Sequence, residues 1–262
     1  MTRRRRWPQV TAGTAALRVM AERGGLAVTL AFYVLVVSVL AGLWRVGIAA
    51  SGGDVAGYGV VAITWYVICT EATTVSLSQR MISDIGRDIG SGAVAVEMLR
   101  PAPVVGVRVA SELGRALPRL AACMVVGAIL ALLTAGGPPR PAALLLAAPS
   151  LVLAVACNIV AQHAFAGVAF WIRDAGSAWF LYQKLVFILG GMLIPLEALP
   201  GWLERVASVL PFRAMSYAPG RLAAGHVEPV LLLEQMAWLA VLLIAAGAVF
   251  RAGERRLQVV GG

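Results

Sequence analysis

The chain has 262 residues, of which 60% are apolar and 13% are charged. Soluble domains carry about 25% charged residues, so the composition excludes an ordinary soluble domain, and the high apolar content excludes a disordered chain. The net charge is +9, and the 22 basic residues comprise 21 arginines and Lys184.

The first segment, residues 8–23, predicts an amphipathic helix. Val10, Leu17 and Met20 share one helical face, and the segment follows a run of arginines at residues 3–6. We expect this helix to lie along the inner membrane surface, with the arginines near anionic lipid. The alternative is a solvated basic tail that only sets the topology. A signal peptide is disfavoured, because no convincing cleavage site follows.

Long uncharged stretches then predict six membrane spans, because a spanning helix needs about 20 apolar residues. The stretches lack the period-of-two alternation of barrel strands. The expected fold is therefore an all-α polytopic membrane protein with a single transmembrane domain. The predicted spans cover residues 26–48, 55–79, 116–135, 144–170, 177–196 and 229–250.

The basic residues predict the orientation of these spans. With both termini in the cytoplasm, 17 of the 22 basic side chains lie on the inner side and five on the outer side. Cytoplasmic loops of membrane proteins carry such an excess. The basic character therefore reports membrane orientation, and it gives no reason to expect nucleic acid as a partner.

Residues 80–103 form a predicted cytoplasmic segment with a helix near its start. An apolar ridge at helical spacing is flanked by charged positions, and Gly90 and Gly92 predict the helix end. We expect this helix to dock into a groove of a partner protein; the alternative is that it lies flat on the lipid. The ridge residues are Met81, Ile82, Ile85 and Ile89, and the charged ones are Asp84, Arg87 and Asp88.

The external segment, residues 197–228, predicts two short amphipathic helices that reach partway into the bilayer. Pro200 turns the chain, Trp202 begins an apolar face, and Pro211 ends the first helix. Tryptophan is a common interfacial anchor in membrane proteins.

Ionisable side chains inside spans are costly, so they indicate partners or water. Glu71, His163 and Lys184 all lie roughly 10–14 Å from the cytoplasmic ends of their spans, at 1.5 Å per residue. We hypothesise that Glu71 pairs with Lys184 or His163 in a polar layer that lines an inward-open cavity and favours cationic, amphipathic cargo. The alternatives are a purely structural pair or a Lys184 that snorkels to the interface. The remaining candidates for this layer are Thr64, Thr74, Asn158 and Gln162.

No nucleotide or metal site is expected in this chain. A P-loop requires a lysine after its second glycine, and Lys184 lies within an apolar span without that motif. No second ligand is spaced with His163 for a metal ion. The three cysteines lie within apolar stretches and suit small core residues.

Two stretches resemble the membrane subunits of type-2 ATP-binding-cassette (ABC) exporters. One begins at Ile82-Ser83-Asp84-Ile85-Gly86-Arg87-Asp88-Ile89 and ends at Met98-Leu99-Arg100-Pro101; it is similar to the coupling helix that meets the ATPase. Its Leu-Arg-Pro ending is similar to the viologen-exporter-like branch. The other, residues 187–211, resembles the fifth span and the external re-entrant helices, with Gly190, Gly191, Pro195, Pro200 and Pro211 in place.

The resemblance implies a permease subunit that exports an amphipathic or drug-like substrate. It implies a second permease subunit, identical or paralogous, and two copies of a cytosolic ATPase that bind ATP and Mg²⁺. The seven residues of the predicted docking helix then become ATPase-coupling residues. The bias towards arginine and alanine suggests the cell membrane of a GC-rich bacterium. The rivals are an ATP-independent carrier or channel, an intramembrane enzyme and a scaffold.

Overall fold

The computed structural model describes residues 7–98, 103–172 and 175–260, and the regular structure within these ranges is helical. The arginine run at residues 3–6 and the Leu99-Arg100-Pro101 ending lie outside the described residues. The helices are α1 (Trp7–Ala21), α2 (Arg23–Ala50), α3 (Val60–Val75), α4 (Met81–Gly90), α5 (Ala93–Met98), α6 (Val104–Thr134), α7 (Leu144–Ala166), α8 (Ala175–Leu189), α9 (Gly201–Ser208), α10 (Phe212–Met215), α11 (Tyr217–Ala223) and α12 (Val230–Val260).

Four helical stretches among the described residues are long and apolar enough to cross a membrane. They are Gly24–Ala50, Val104–Thr134, Pro141–Phe170 and Val230–Arg256. Val60–Val75 is apolar but shorter; its 16 residues rise about 24 Å, less than the roughly 30 Å hydrocarbon core. The chain is therefore an all-α protein with several helices suited to a membrane.

Helix α3 lies at the centre of the fold, and α7 packs beside it. Twelve of the 16 residues of α3 are buried, and α7 is buried along most of its length. The Tyr33 hydroxyl of α2 donates to the Ile68 carbonyl at 3.0 Å. On α12, the buried Gln235 amide donates to the carbonyls of Ser150 and Ala214, at 3.1 and 2.9 Å. These bonds hold α2 and α12 against the central helices.

Two helices extend beyond the predicted spans. Helix α6 begins at Val104, twelve positions before the predicted start at 116, and α12 continues to Val260, well past the predicted end at 250. The predicted limits were set by charges. Arginine is a good helix former, so charges mark where a helix leaves the apolar layer, and the helix itself continues.

Helix α8 ends earlier than predicted, at Leu189 instead of residue 196. The chain turns at Gly190 and Gly191, and Gly191 has a φ of +64°, which glycine adopts without steric cost. A Cβ atom on Gly190 would collide with the Val186 carbonyl oxygen. Tight turning at these two positions therefore needs glycine, and it directs the chain into the segment that precedes α12.

Candidate translocation and docking sites

A small cavity lies between α3, α7 and α8, and we call it the α3–α8 cavity. Its volume is about 50 Å³, and the described residues that line it carry no charge. Polar and aromatic side chains converge on it, among them Thr74, Asn158, Gln162, Trp179, Tyr182 and Gln183. A volume of this size holds water and is far below the roughly 300 Å³ of a small-molecule site.

The buried amides of this cavity are held in fixed orientations. Asn158 and Gln162 lie one turn apart on α7, and the Gln162 amide donates to Asn158 Oδ1 at 3.0 Å. The Tyr182 hydroxyl of α8 donates to the same oxygen. The Thr74 hydroxyl donates to the Thr70 carbonyl at 3.3 Å and contacts the Met192 sulfur. Satisfied polar networks of this kind are rigid, so α7 and α8 are joined at the cavity.

The structure brings together three of the seven side chains predicted to form one polar layer. Thr74, Asn158 and Gln162 line the α3–α8 cavity. Thr64 lines a different cavity, of about 130 Å³, between α2, α3 and α6. His163 lines a third, of about 270 Å³, beneath α4.

The hypothesised pairing of Glu71 with Lys184 or His163 is wrong. Glu71 is only 2% exposed, and its Oε1 has no hydrogen-bond partner among the described residues. Lys184 is exposed on α8 and does not line the cavity, and its ammonium lies 5.1 Å from the centre of the Phe180 ring. His163 places Nδ1 2.8 Å from the Ile159 carbonyl. The three ionisable groups therefore face three different environments.

The apolar ridge of α4 faces inward, which corrects its predicted role as a docking surface. Met81, Ile82, Ile85 and Ile89 are buried, in a core formed with α7, α8 and the 3₁₀ turn Gly167–Phe170. The ridge is amphipathic because it packs against its own chain. The face that remains open to a partner is the polar one.

The charged residues of α4 form two groups. Arg87 and Asp84 pair at 3.3 Å, and their side chains are 74% and 49% exposed. Asp88 instead binds Arg108 of α6 at 2.7 Å, and Arg108 also binds Glu97 of α5 at 2.8 Å. Arg108 therefore fastens α4 and α5 to α6, while Asp84 and Arg87 stay accessible.

The glycines, prolines and tryptophan predicted to be external lie at the start of a folded segment between α8 and α12. Gly191 accepts a hydrogen bond from the Tyr66 hydroxyl of α3. Pro195 and Pro200 immediately precede the 3₁₀ turn Leu196–Ala198 and α9, respectively. Trp202 is exposed on α9. Two separate short helices, α10 and α11, replace the single helix expected after Pro211.

Sequence reasoning missed a cluster of charged and hydroxyl groups where this segment meets the loop between α2 and α3. Arg221 of α11 pairs with Glu197, and its Nε and Nη2 both donate to Glu228 Oε1, at 3.1 and 3.0 Å. Its Nη1 also donates to the Tyr58 hydroxyl at 3.0 Å, and Tyr217 donates to Glu197 at 2.5 Å. We call these five residues the Arg221 cluster. No sequence pattern singled the cluster out, because α11 ends at Ala223, before Glu228, and the other members are distant in the chain.

The electrostatics of this cluster favour a charged Arg221. Burial opposes that charge, but the hydrogen bond to Tyr58 and the attraction of Glu197 outweigh it, so the pKa of Arg221 is raised. Burial and the hydrogen bond to Glu197 raise the pKa of Tyr217, which keeps it a donor at neutral pH. Burial and then Arg221 lower the pKa of the neighbouring His226.

The fold and these sites define a helical, multi-pass membrane protein with a folded segment between α8 and α12 and a short helix, α4, packed against its bundle. A family model described as ABC-2 family transporter protein matches residues 27–261. The chain therefore belongs to this family and is a membrane permease component of an ABC transporter, without an ATPase site of its own. A search among curated proteins finds no match.

Proposed function

We propose that the chain is one permease subunit of an ABC exporter that moves an amphipathic or drug-like substrate out of the cell. Two cytosolic ATPase subunits, which bind ATP and Mg²⁺, supply the energy. The observation that carries this proposal is the family match over residues 27–261. The absence of a P-loop lysine from the sequence supports energy from a partner.

The proposed topology has six spans with both termini in the cytoplasm. It is supported by the distribution of arginines and by the apolar composition of α3 and α8, the two shorter helices that would complete the six. The test is labelling of intact cells with an impermeant maleimide. Both positions are exposed, so a thiol at either one can react with a reagent on its own side of the membrane. Arg140→Cys, on the proposed outer side, should therefore react, and Arg251→Cys, on the proposed inner side, should not. The native cysteines are buried and give little background.

The proposed pathway runs along the exposed face of α8 and the adjoining α3–α8 cavity. Phe180, Lys184 and Ile188 lie on that face at helical spacing and are exposed. A lysine inside a span favours water or a second subunit over lipid. A second permease subunit, identical or paralogous, is proposed to close the pathway, because the cavity of this chain alone is too small for a drug-like molecule.

The proposed ATPase contact is the polar face of α4, centred on Asp84 and Arg87. Tagged permease should retain its cognate ATPase through size-exclusion chromatography. Arg87→Glu should weaken this retention at least about fivefold, or about 1 kcal/mol. The matched control is Arg205→Glu, which reverses another exposed arginine, on the helix α9 that is proposed to be external.

Equal retention by R87E, R205E and the wild type would overturn the docking assignment. Failure of the wild type to hold any cassette ATPase would favour the alternative, an ATP-independent carrier. That alternative predicts substrate flux into vesicles without nucleotide. Membership of the viologen-exporter-like branch and location in a bacterial cell membrane remain part of the proposal, supported by residues 99–101 and by composition.

A further inference from the structure

Another polar cavity lies where α1 meets the first half of α6. The two helices pack closely along their lengths. The backbone of Ala12 touches Gly114, and a Cβ atom at Gly114 would collide with it. Ala15 and Val19 of α1 are buried. Beside this contact the helices separate around a cavity of about 390 Å³.

Two polar stripes line this cavity from opposite sides. On α1, Thr11, Thr14 and Arg18 follow each other at intervals of three and four, so they share one face. On α6, Ser111, Arg115 and Arg119 repeat at intervals of four. All six side chains line the cavity. Guanidinium and hydroxyl groups in this arrangement match the oxygens of a phosphate.

The charge balance of the cavity is positive. Glu22 is the carboxylate among its lining residues, and Arg115 pairs at 2.9 Å with the adjacent Glu112. Arg18 and Arg119 form no ion pair within the described residues. The cavity thus sets three arginines against Glu22 and the neighbouring Glu112, and this excess of positive charge points to a bound anion.

The position of α1 identifies where that anion comes from. Val10, Leu17 and Met20 are 60%, 69% and 63% exposed on the side of α1 that faces away from α6. Exposed apolar side chains of this size on an interfacial helix enter the acyl layer. The polar stripe of α1 lies between this face and the buried one, at 100° per residue. The cavity therefore opens at the depth of the lipid headgroups.

We propose that the cavity between α1 and α6 binds the phosphate of an anionic phospholipid from the cytoplasmic leaflet. Basic pockets on the cytoplasmic side of membrane proteins bind such headgroups. The volume is large enough for a phosphate with its attached glycerol. The bound lipid fastens α1 to the start of α6. This inference requires membrane insertion but does not rest on the proposed ATPase partner or substrate.

The test uses the full chain in nanodiscs that contain phosphatidylcholine alone or with 30% phosphatidylglycerol, at roughly physiological salt. The protein is then extracted in detergent, and native mass spectrometry counts the lipids that it retains. The wild type should retain one phosphatidylglycerol in preference to phosphatidylcholine. Arg18→Gln with Arg119→Gln should reduce that retention at least about tenfold, because each arginine near an anionic surface contributes to binding. The matched control, Arg140→Gln with Arg205→Gln, removes the same charge from exposed external positions and should retain the lipid.

A charge-conserving double variant distinguishes loss of the lipid site from misfolding of the protein. Arg18→Lys with Arg119→Lys keeps the charge but loses the guanidinium fork, so it should give intermediate retention. Equal loss of lipid in the test and control pairs would overturn the proposal, as would equal retention of both lipids by the wild type. Displacement of the lipid by millimolar inorganic phosphate would assign the site to a soluble phosphate and overturn the lipid assignment.

Discussion

Replacement of Arg221 by alanine should destabilise the segment between α8 and α12 more than loss of any exposed arginine there. Its guanidinium contacts Glu197, Glu228 and Tyr58, which come from three separate parts of the chain. In R221A, Glu197 keeps the Tyr217 hydroxyl as its close partner. Its carboxylate then stays partly buried without a countercharge.

The magnitude follows from burial. Exposed ion pairs contribute about 0.2–1 kcal/mol, whereas breaking a buried pair costs about 3–5 kcal/mol. The side chains of Arg221 and Glu197 are 18% and 24% exposed, and that of Glu228 is 35% exposed. Water can reach Glu228 and recover part of the loss. We therefore expect about 2–4 kcal/mol of destabilisation, between the two limits.

The assay is thermal unfolding of the detergent-solubilised protein, followed with a dye that fluoresces on reaction with thiols. Cys69, Cys123 and Cys157 are free and buried, so the dye reacts as the bundle opens. In domains of 150–250 residues, 1 kcal/mol shifts Tm by about 2–4 °C. A loss of about 3 kcal/mol thus predicts a Tm lower by roughly 6–12 °C.

Two variants make this prediction refutable. Arg205→Ala removes an exposed arginine of the same segment, whose Nε donates to the Gly201 carbonyl of its own helix, and it should shift Tm by less than about 2 °C. Arg221→Lys keeps the charge and should recover part of the loss. If R221A melts within about 2 °C of R205A, solvent screens the cluster and the reasoning from burial fails.

Three further predictions concern other parts of the fold. Gln235→Leu leaves two buried carbonyls without their donor, so it should cost about 2 kcal/mol in the same thermal assay, with a shift below about 2 °C counting against it. Gly114→Val should force α1 away from α6 and speed tryptic cleavage within α1, and unchanged cleavage would refute the close contact. Because burial and Arg221 lower the pKa of His226, the unfolded state binds its proton more readily. The Tm should therefore fall as pH drops below about 6.5, more steeply in the wild type than in His226→Gln.

Apolar length predicts the extent of α7, a helix that lies deep in the fold. Helix α7 begins at Leu144, and its 3₁₀ extension ends at Phe170, which coincides with the predicted limits 144–170. Burial demands apolar residues along nearly all of this helix, so the pattern is dense. Helices α6 and α12 carry charges beyond the apolar layer, and the sequence alone marks only where that layer ends.

The direction in which each side chain points was the harder quantity to predict. Depth along a span follows from residue number, but direction depends on how neighbouring helices pack. Lys184 is two positions after Tyr182, and two positions turn a helix by about 200°. Tyr182 therefore faces the cavity while Lys184 faces outward. Their similar depth predicts that Glu71, His163 and Lys184 form one layer. Helix packing instead turns the three side chains towards different surroundings.

The inward orientation of the α4 ridge separates two roles that the sequence merged. Helix α4 packs against α7 and α8, which line the α3–α8 cavity, and close-packed side chains transmit displacement. Under the proposed function, the polar face binds the ATPase and the buried ridge transmits its movement. Ile85→Ala removes about three buried carbons without changing the polar face, at a cost of about 2–5 kcal/mol. It should therefore retain the ATPase in size-exclusion chromatography while transported substrate per ATP falls. Loss of ATPase binding in I85A at a temperature where the permease stays folded would show that binding and transmission share one surface.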